Sequence, residues 1–235
     1  DNHTVTRPSS TAIAAMQPFY QDKWGSCTTP HRFGQRLLSD LEEALAKVRL
    51  LLGGRSSDLL LFCPSGPHGV YEVVQAAYLD LAKERGRTHF LTSALDEAPV
   101  ILSYERLEML GCETTLIEVD EKGVVTADAL ADAMTPRTAL VSLAWANALT
   151  GVIQPVAELA EVCRERGVWF HLEASHVLGK LPIDLDEIAP DFVSFDGSLI
   201  HAPQGTGALW VRSGLMPSRL VLGEGATPLA PLAAL

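Results

Sequence analysis

The sequence contains few of the features that mark zinc-binding, membrane-inserted or nucleic-acid-binding proteins. Its four cysteines lie far apart and show no C-x-x-C spacing, which argues against a zinc knuckle or a disulfide framework. No apolar run approaches the ~20 residues that a membrane-spanning helix needs, and the N-terminus lacks the basic and apolar regions of a signal peptide. The net charge of -11, with no basic run, gives nucleic-acid binding little support. We therefore expect a cytoplasmic protein without membrane insertion.

The sequence is instead rich in apolar side chains that follow two alternating patterns. Hydrophobic residues make up 47% of the chain and charged residues 20%, as in a well-packed globular protein. Short runs rich in Val, Leu, Ile and Phe occur at 59–62, 89–92, 114–119, 139–144, 168–172, 192–195 and 208–211. Amphipathic segments at helical spacing lie at 37–52, 70–83, 101–110, 127–134 and 155–166. This alternation predicts an α/β fold with a mostly parallel sheet covered by helices on both faces.

Ligands of such sheets bind beyond the carboxyl ends of the strands, so the loops that follow the strands are the ones to examine for function. Several loops, taken in order, carry motifs: Asp1-Asn2 with Met16–Tyr20, His31–Gly34, Phe62–Pro67, Leu91–Val100, Gly151–Pro155, His171–His176, Gly179–Asp184 and Ser194–Arg212. Together they resemble the class V aminotransferase and cysteine desulfurase family, whose large domain holds pyridoxal phosphate on a seven-stranded, mainly parallel sheet. The resemblance implies a three-layer α/β large domain over residues 1–219 and an irregular tail or docking arm over 220–235. It also implies that the family's smaller C-terminal domain is absent from this chain.

The sequence departs from the family where the cofactor would be attached. The resemblance places Leu199 at the position of the Schiff-base lysine, and a leucine has no nucleophilic atom. All five lysines lie outside this loop, and Lys180 would have to reach in from another connection. The phosphate-binding positions are occupied by Pro67, Asp196 and Ser198, in place of a threonine, a serine and a histidine. Pro67 has neither an N–H nor a hydroxyl to donate, and the Asp196 carboxylate would repel a phosphate.

The positions that contact the cofactor ring have changed as well. Glu97 stands where the family stacks a histidine on the ring, and Ala148 where an asparagine contacts the ring oxygen. His176 replaces a glutamine, and Glu173 offers the pyridinium nitrogen a carboxylate that is one methylene longer than the family's. Because so many loop positions change together, one misplaced register does not explain the pattern.

These departures favour a non-catalytic, cysteine-desulfurase-like pseudoenzyme. We expect no catalytic residue, no metal and no cofactor, pyridoxal phosphate included. The protein would act as a structural or regulatory subunit through protein–protein contacts, because a fold and its function separate easily. Its partner would be another protein or a second copy of itself, in a homodimer or a larger complex.

Two alternatives remain open. The first is a class V aminotransferase or cysteine desulfurase-type enzyme that uses pyridoxal phosphate. The second is a repurposed acidic pocket that binds a divalent metal or a cationic ligand. The candidate residues of that pocket are Glu97, Glu173, His176 and Asp196, with His171 as a further possibility.

Overall fold

The fold is built on one sheet of seven strands. The structure, a computed structural model, describes residues 2–27, 29–215, 217 and 220, so that all of the expected tail at 220–235 except Leu220 lies outside the described residues. The strands are β1 (Leu59–Cys63), β2 (His89–Ser93), β3 (Glu113–Ile117), β4 (Thr138–Ala144), β5 (Trp169–Glu173), β6 (Phe192–Asp196) and β7 (Gly207–Val211). Each one coincides with a predicted apolar run, which confirms the strand prediction.

The strand order in the sheet is β1-β7-β6-β5-β4-β2-β3. Neighbours among β2 to β6 pair in parallel, and β7 alone runs antiparallel to both of its neighbours, β1 and β6. The prediction of a mostly parallel α/β sheet is therefore confirmed. Because β7 is reversed, its first residue, Gly207, lies at the same edge as the last residues of β1 and β6. That edge carries the loops in which the sequence places the site.

Helices cover both faces of this sheet. They are α1 (Ser10–Gln21), α2 (Arg32–Gln35), α3 (Leu38–Leu52), α4 (Gly66–Ala77), α5 (Ala98–Met109), α6 (Ala127–Ala133), α7 (Val156–Glu165) and α8 (Leu185–Ile188). Helices α3, α6 and α7 pack with alternate strand residues into one apolar cluster, and α4 and α5 pack into a second. In the described part of the chain, no helix is long and apolar enough to cross a membrane.

The helices differ from the prediction in two places. The segment predicted as one helix over 70–83 is α4 followed by a π-helical turn, Tyr78–Lys83. Helix α1 has no predicted counterpart, because it buries only Ala12 and Met16 and contains Pro18. Two buried side chains in twelve residues leave too weak an apolar period to indicate a helix.

The edge that carries the site is closely packed around Gly207. A Cβ atom at this position would lie 2.5 Å from the backbone carbon of Ser65 and 2.8 Å from the nitrogen of Gly66. Both are backbone atoms, so neither can rotate away. Only glycine therefore lets the start of β7 pass the turn that connects β1 to α4.

We expect Gly207→Ala to lower the free energy of unfolding by about 2–3 kcal/mol, because backbone atoms must shift to admit the methyl group. Urea denaturation of the variant and the wild type measures this loss. Gly111→Ala is the matched control: its Cβ would meet nothing within 4 Å, but its φ of 84° is unfavourable for alanine, and we expect a loss of about 1 kcal/mol. Equal losses in the two variants would contradict the packing argument.

Candidate functional site

The carboxyl ends of β5 and β6, the start of α4 and the start of α5 enclose a cavity of about 170 Å³. Seven of the eight candidate positions line it: Pro67, Glu97, Glu173, His176, Asp196, Ser198 and Leu199. Thr4, Val70, Pro99 and Ser175 complete the lining. The loops brought together by the sheet topology thus form a single site, and its wall is part apolar and part acidic.

Ala148 is the exception, because it does not line this cavity. It borders an adjoining cavity of about 370 Å³, and His176 lines both cavities. The neighbouring Asn147 fixes this loop: its side-chain nitrogen donates to the carbonyl of Leu95 (2.7 Å), and its oxygen accepts from the N–H of Thr150 (2.8 Å). The turn is therefore anchored to the β2–α5 connection, with Ala148 outside the acidic cavity.

Glu173 is the last residue of β5 and is almost completely buried, with 5% of its surface exposed. Its Oε1 accepts from both the N–H and the hydroxyl of Ser175, whereas Oε2 is buried and has no hydrogen-bond partner. Burial raises the pKa of Glu173 to about 7, and the nearby Glu97 and Asp196 carboxylates act in the same direction. A buried carboxylate oxygen without a partner is costly unless a ligand donates a hydrogen bond to it.

Asp196 is the last residue of β6, and both of its carboxylate oxygens are engaged within the chain. Oδ2 accepts from the N–H of Gly66 (2.9 Å), and Oδ1 accepts from the N–H and the hydroxyl of Ser198 (2.9 and 2.6 Å). The Asp196 N–H donates in turn to the hydroxyl of Ser175 (2.9 Å). Asp196 thus fastens the β6 loop to the start of α4 and to the end of β5.

Leu199 lies in a single 3-10 turn, Gly197–Leu199, and is 9% exposed in the cavity wall. The N-terminal segment holds this loop in place, since the N–H and hydroxyl of Thr6 donate to the carbonyl of Ser198 (2.7 and 2.8 Å). Lys180 does not line the cavity, and its ammonium group donates to the carbonyl of Ser175 (3.3 Å). Neither residue therefore places an amine in the cavity.

His176 and Glu97 face each other across the rim, with 3.8 Å between His176 Nε2 and Glu97 Oε1. Burial lowers the pKa of His176, and Glu97 offsets part of that effect. Of the described residues that line the cavity, none is a lysine or an arginine. The carboxylates in the cavity wall are therefore acidic groups without a lysine or arginine in the lining, although the Lys180 ammonium group interacts with Glu173 from outside the wall.

Two observations in the described part of the chain give the hypothesis of a metal site no support. Among the described residues, no group of three or more His, Cys, Asp or Glu side chains is placed to hold a metal ion. His171 does not reach the cavity, because it lies two residues inside β5 and is buried between the hydroxyls of Ser142 (2.6 Å) and Ser194 (2.9 Å). Burial lowers its pKa to about 3, so it is a neutral structural bridge across β4, β5 and β6.

One supporting residue that the sequence reasoning missed is Asp96. Its carboxylate accepts from the hydroxyl of Thr92 (2.5 Å), the N–H of Ser93 (2.7 Å) and the N–H of Ala144, so it joins the ends of β2 and β4 next to the site. Burial raises its pKa to about 6. The signal in the sequence is an acidic residue that follows an entirely buried strand, directly before Glu97.

Pyridoxal phosphate, the cofactor of the family that the sequence resembles, makes three demands of a site. A carboxylate for its ring nitrogen is present, because Glu173 lines the cavity and its Oε2 is buried and has no hydrogen-bond partner. The amine for its aldehyde is not present at Leu199. The phosphate position also does not fit, because Pro67 lacks a donor and Asp196 already accepts the N–H of Gly66. The residues thus suit the ring but neither the covalent bond nor the phosphate.

Comparison with known proteins gives consistent matches. The family model described as aminotransferase class V matches residues 1–226. Cysteine desulfurases of Gluconacetobacter diazotrophicus and Sinorhizobium fredii are each 34% identical to this chain, and each alignment covers 95% of it. The chain spans only 55% and 57% of the lengths of these relatives.

Solved structures agree with this result at the level of the fold. A NifS-like protein has a TM-score of 0.92 at 24% identity, covering 100% of this chain and 66% of that one. DndA from Streptomyces lividans has a TM-score of 0.83 at 26% identity, covering 97% of this chain and 67% of that one. The predicted three-layer large-domain architecture is confirmed.

Two expectations drawn from Leu199 and its neighbours are wrong. The relatives are named as cysteine desulfurases, so the matches favour an enzyme over the non-catalytic subunit that we expected. Enzymes of this family depend on pyridoxal phosphate, which conflicts with the expectation of no cofactor. The physical reason is that replacing the loop residues has not removed the cavity or its carboxylate at Glu173. Because the family model matches residues 1–226, the chain belongs to the aminotransferase class V family.

Proposed function

We propose that this chain is the cofactor-domain part of a cysteine desulfurase-type enzyme, which takes sulfur from L-cysteine with a pyridoxal-type cofactor in the acidic cavity. The observation that carries the proposal is the buried Oε2 of Glu173, which lacks a hydrogen-bond partner at the carboxyl end of β5. The matches to relatives named as cysteine desulfurases support the choice of substrate. When bound, such a cofactor supplies an electron sink for bonds at the amino acid's α-carbon.

The residues of the cavity contribute binding and orientation. Glu173 Oε2 would accept an N–H from a bound ring, and the hydrogen bonds from Ser175 to Oε1 hold the carboxylate in one orientation. Val70, Pro99 and Leu199 form an apolar part of the wall that would exclude water from such a ring. Because excluding water strengthens electrostatic interactions, a hydrogen bond to Glu173 would be stronger here than in a solvated cleft.

The acidic lining suits the α-ammonium group of an amino acid. Glu97 lines the cavity with 30% of its side chain exposed, so its carboxylate is accessible to an entering ammonium group. No lysine or arginine among the described lining residues competes for that carboxylate. A positively charged group is therefore attracted to the entrance, and the attraction weakens as salt rises.

We also propose that the protein works in the cytoplasm as a homodimer. All four cysteines are unpaired, which suits a reducing compartment. The N-terminal segment leaves Ile13, Tyr20 and Trp24 exposed at 51%, 64% and 64%, and burying such side chains against a second copy would be favourable.

We expect the purified protein to have twice the chain mass in size-exclusion light scattering, and the double variant Tyr20→Glu/Trp24→Glu to have the mass of one chain. The introduced charges would be buried without partners in the dimer. Leu50→Glu, at a still more exposed position on α3, serves as the control and should stay dimeric. A wild-type mass of one chain at all concentrations would exclude the homodimer.

Cysteine turnover by the full-length protein, followed as alanine and sulfide, tests the proposed function. One L-cysteine and two molecules of a thiol reductant give one alanine, one hydrogen sulfide and one disulfide, so both products are expected in equal amounts. Turnover should require an added cofactor of the pyridoxal class. In Leu199→Lys, the new amine can condense with the cofactor's aldehyde and release water, so we expect a rate at least about tenfold higher.

Borohydride reduction and peptide mass mapping identify the attachment point in the same samples. We expect the reduced adduct on residue 199 of Leu199→Lys and no adduct in Leu199→Met, an uncharged control of similar volume. A wild-type adduct mapped to Lys180, in the same yield as that of the lysine variant, would contradict the assignment of position 199. Cysteine left unconsumed by wild type and variant alike would overturn the proposed function.

The raised pKa of Glu173 predicts that Glu173→Gln stabilises the protein at neutral and higher pH. The pKa of Glu173 is 4.5 in the unfolded chain and about 7 in the folded one. As pH rises between these values, ionisation of Glu173 favours the unfolded chain and lowers the free energy of unfolding. At one pKa unit per 1.36 kcal/mol, the full cost is about 3 kcal/mol above pH ~7. We therefore expect the glutamine variant to gain up to about 3 kcal/mol over the wild type at pH ~8 and little at pH ~5.

Urea denaturation at several pH values measures this gain. Glu105→Gln, an exposed position on α5, is the control and should show the same small difference at each pH. A pH-independent difference between Glu173→Gln and the wild type would refute the burial argument.

A further inference from the structure

The first turn of α4 has no backbone N–H left for an external anion. The N–H of Gly66 donates to Asp196 Oδ2 (2.9 Å), and Pro67 has no N–H. The N–H of His68 donates to the side chain of Ser65 (3.3 Å), and that of Gly69 donates to the carbonyl of Ser65 (3.3 Å). A helix N-terminus binds a phosphate through free N–H groups, and here all of them are used within the chain.

The carboxylate of Asp196 occupies the place of that anion. It accepts one hydrogen bond from α4 and two from Ser198, at two of the positions where the resemblance places phosphate contacts. The two segments are in close contact: a Cβ on Gly66 would lie 3.0 Å from the nitrogen and 3.1 Å from the Cβ of Asp196. An added phosphate would have to displace the carboxylate and would meet its negative charge.

The remainder of the cavity favours a donor with positive charge. Glu173 is 5% exposed, lines the cavity and leaves Oε2 buried without a partner. The carboxylates of Glu97 and Asp196 line the same space, and burial lowers the pKa of His176 and so disfavours its charged form. A ligand that brings an N–H and a positive charge would satisfy Oε2 and offset the acidic wall.

We propose that the cavity prefers a small cationic N–H donor of the pyridoxamine class without a phosphate, with Glu173 Oε2 as the acceptor of its N–H and Asp196 as the resident anion. This inference deepens the proposed function, on which it rests for the location of the ligand. It assigns Asp196 the role of a specificity determinant that excludes phosphate esters. Replacing Asp196 with serine, the residue that the resemblance places here, should therefore reverse the preference.

Isothermal titration calorimetry of the full chain with pyridoxamine and with pyridoxamine 5′-phosphate tests the proposal. We expect the wild type to bind pyridoxamine at least about tenfold more tightly than its phosphate ester. Asp196→Ser should bind the phosphate ester more tightly than the wild type does, because the N–H of Gly66 becomes free and the repulsion is gone. Asp184→Ser removes a carboxylate that caps α8 and does not line this cavity, and it should keep the wild-type preference.

Asp196→Asn keeps the size of the side chain and should lose part of the discrimination even if the serine variant does not fold. The proposal is overturned if the wild type binds the phosphate ester as tightly as pyridoxamine, or if it binds neither. It is also overturned if neither Asp196 variant changes the ratio of the two affinities. Tight, selective pyridoxamine binding without cysteine turnover would instead refute the proposed function and leave this inference standing.

Discussion

The hydrogen bond from the N–H of Gly66 to the carboxylate of Asp196 organises the candidate site. It joins the first residue of α4 to the last residue of β6, which are 130 positions apart in the chain. The bonds from Ser198 to Asp196 and from Asp196 to Ser175 extend the connection into the next loop and to β5. The close approach of β7 at Gly207 requires the same compact turn at the start of α4. The walls of the cavity are therefore fixed from within the chain.

The Asp196 carboxylate acts as an anion within the site and changes which ligand charge the site can recognise. In a site that holds a phosphate, free backbone N–H groups at a helix N-terminus favour a dianion. Here those groups are satisfied, and the unsatisfied atom is the buried Oε2 of Glu173. The preferred ligand thus changes from an acceptor with negative charge to a donor with positive charge. The fold is that of the family, and under the proposed function Glu173 serves as the ring-binding carboxylate while the electrostatic selection differs.

Much of the fold could be predicted from the sequence, because the apolar runs of a parallel sheet buried on both faces stand out clearly. The resemblance to the family implied the candidate residues, and seven of the eight line one cavity because the carboxyl ends of parallel strands meet at one edge. The hydrogen bonds of Asp196 and Asp96 could not be predicted, since they depend on distances between segments far apart in the chain. The same limit misplaced His171, which satisfies two buried serines inside the sheet. The absence of a lysine at position 199 was also a weaker indicator of function than the retained cavity is.

A crystal structure of the protein with pyridoxamine would test the central claim most directly. We expect the ligand's N–H within hydrogen-bond distance of Glu173 Oε2, with the hydrogen bond between Gly66 and Asp196 intact. A structure grown with pyridoxal phosphate in which Asp196 has turned away and the phosphate accepts the N–H of Gly66 would contradict it.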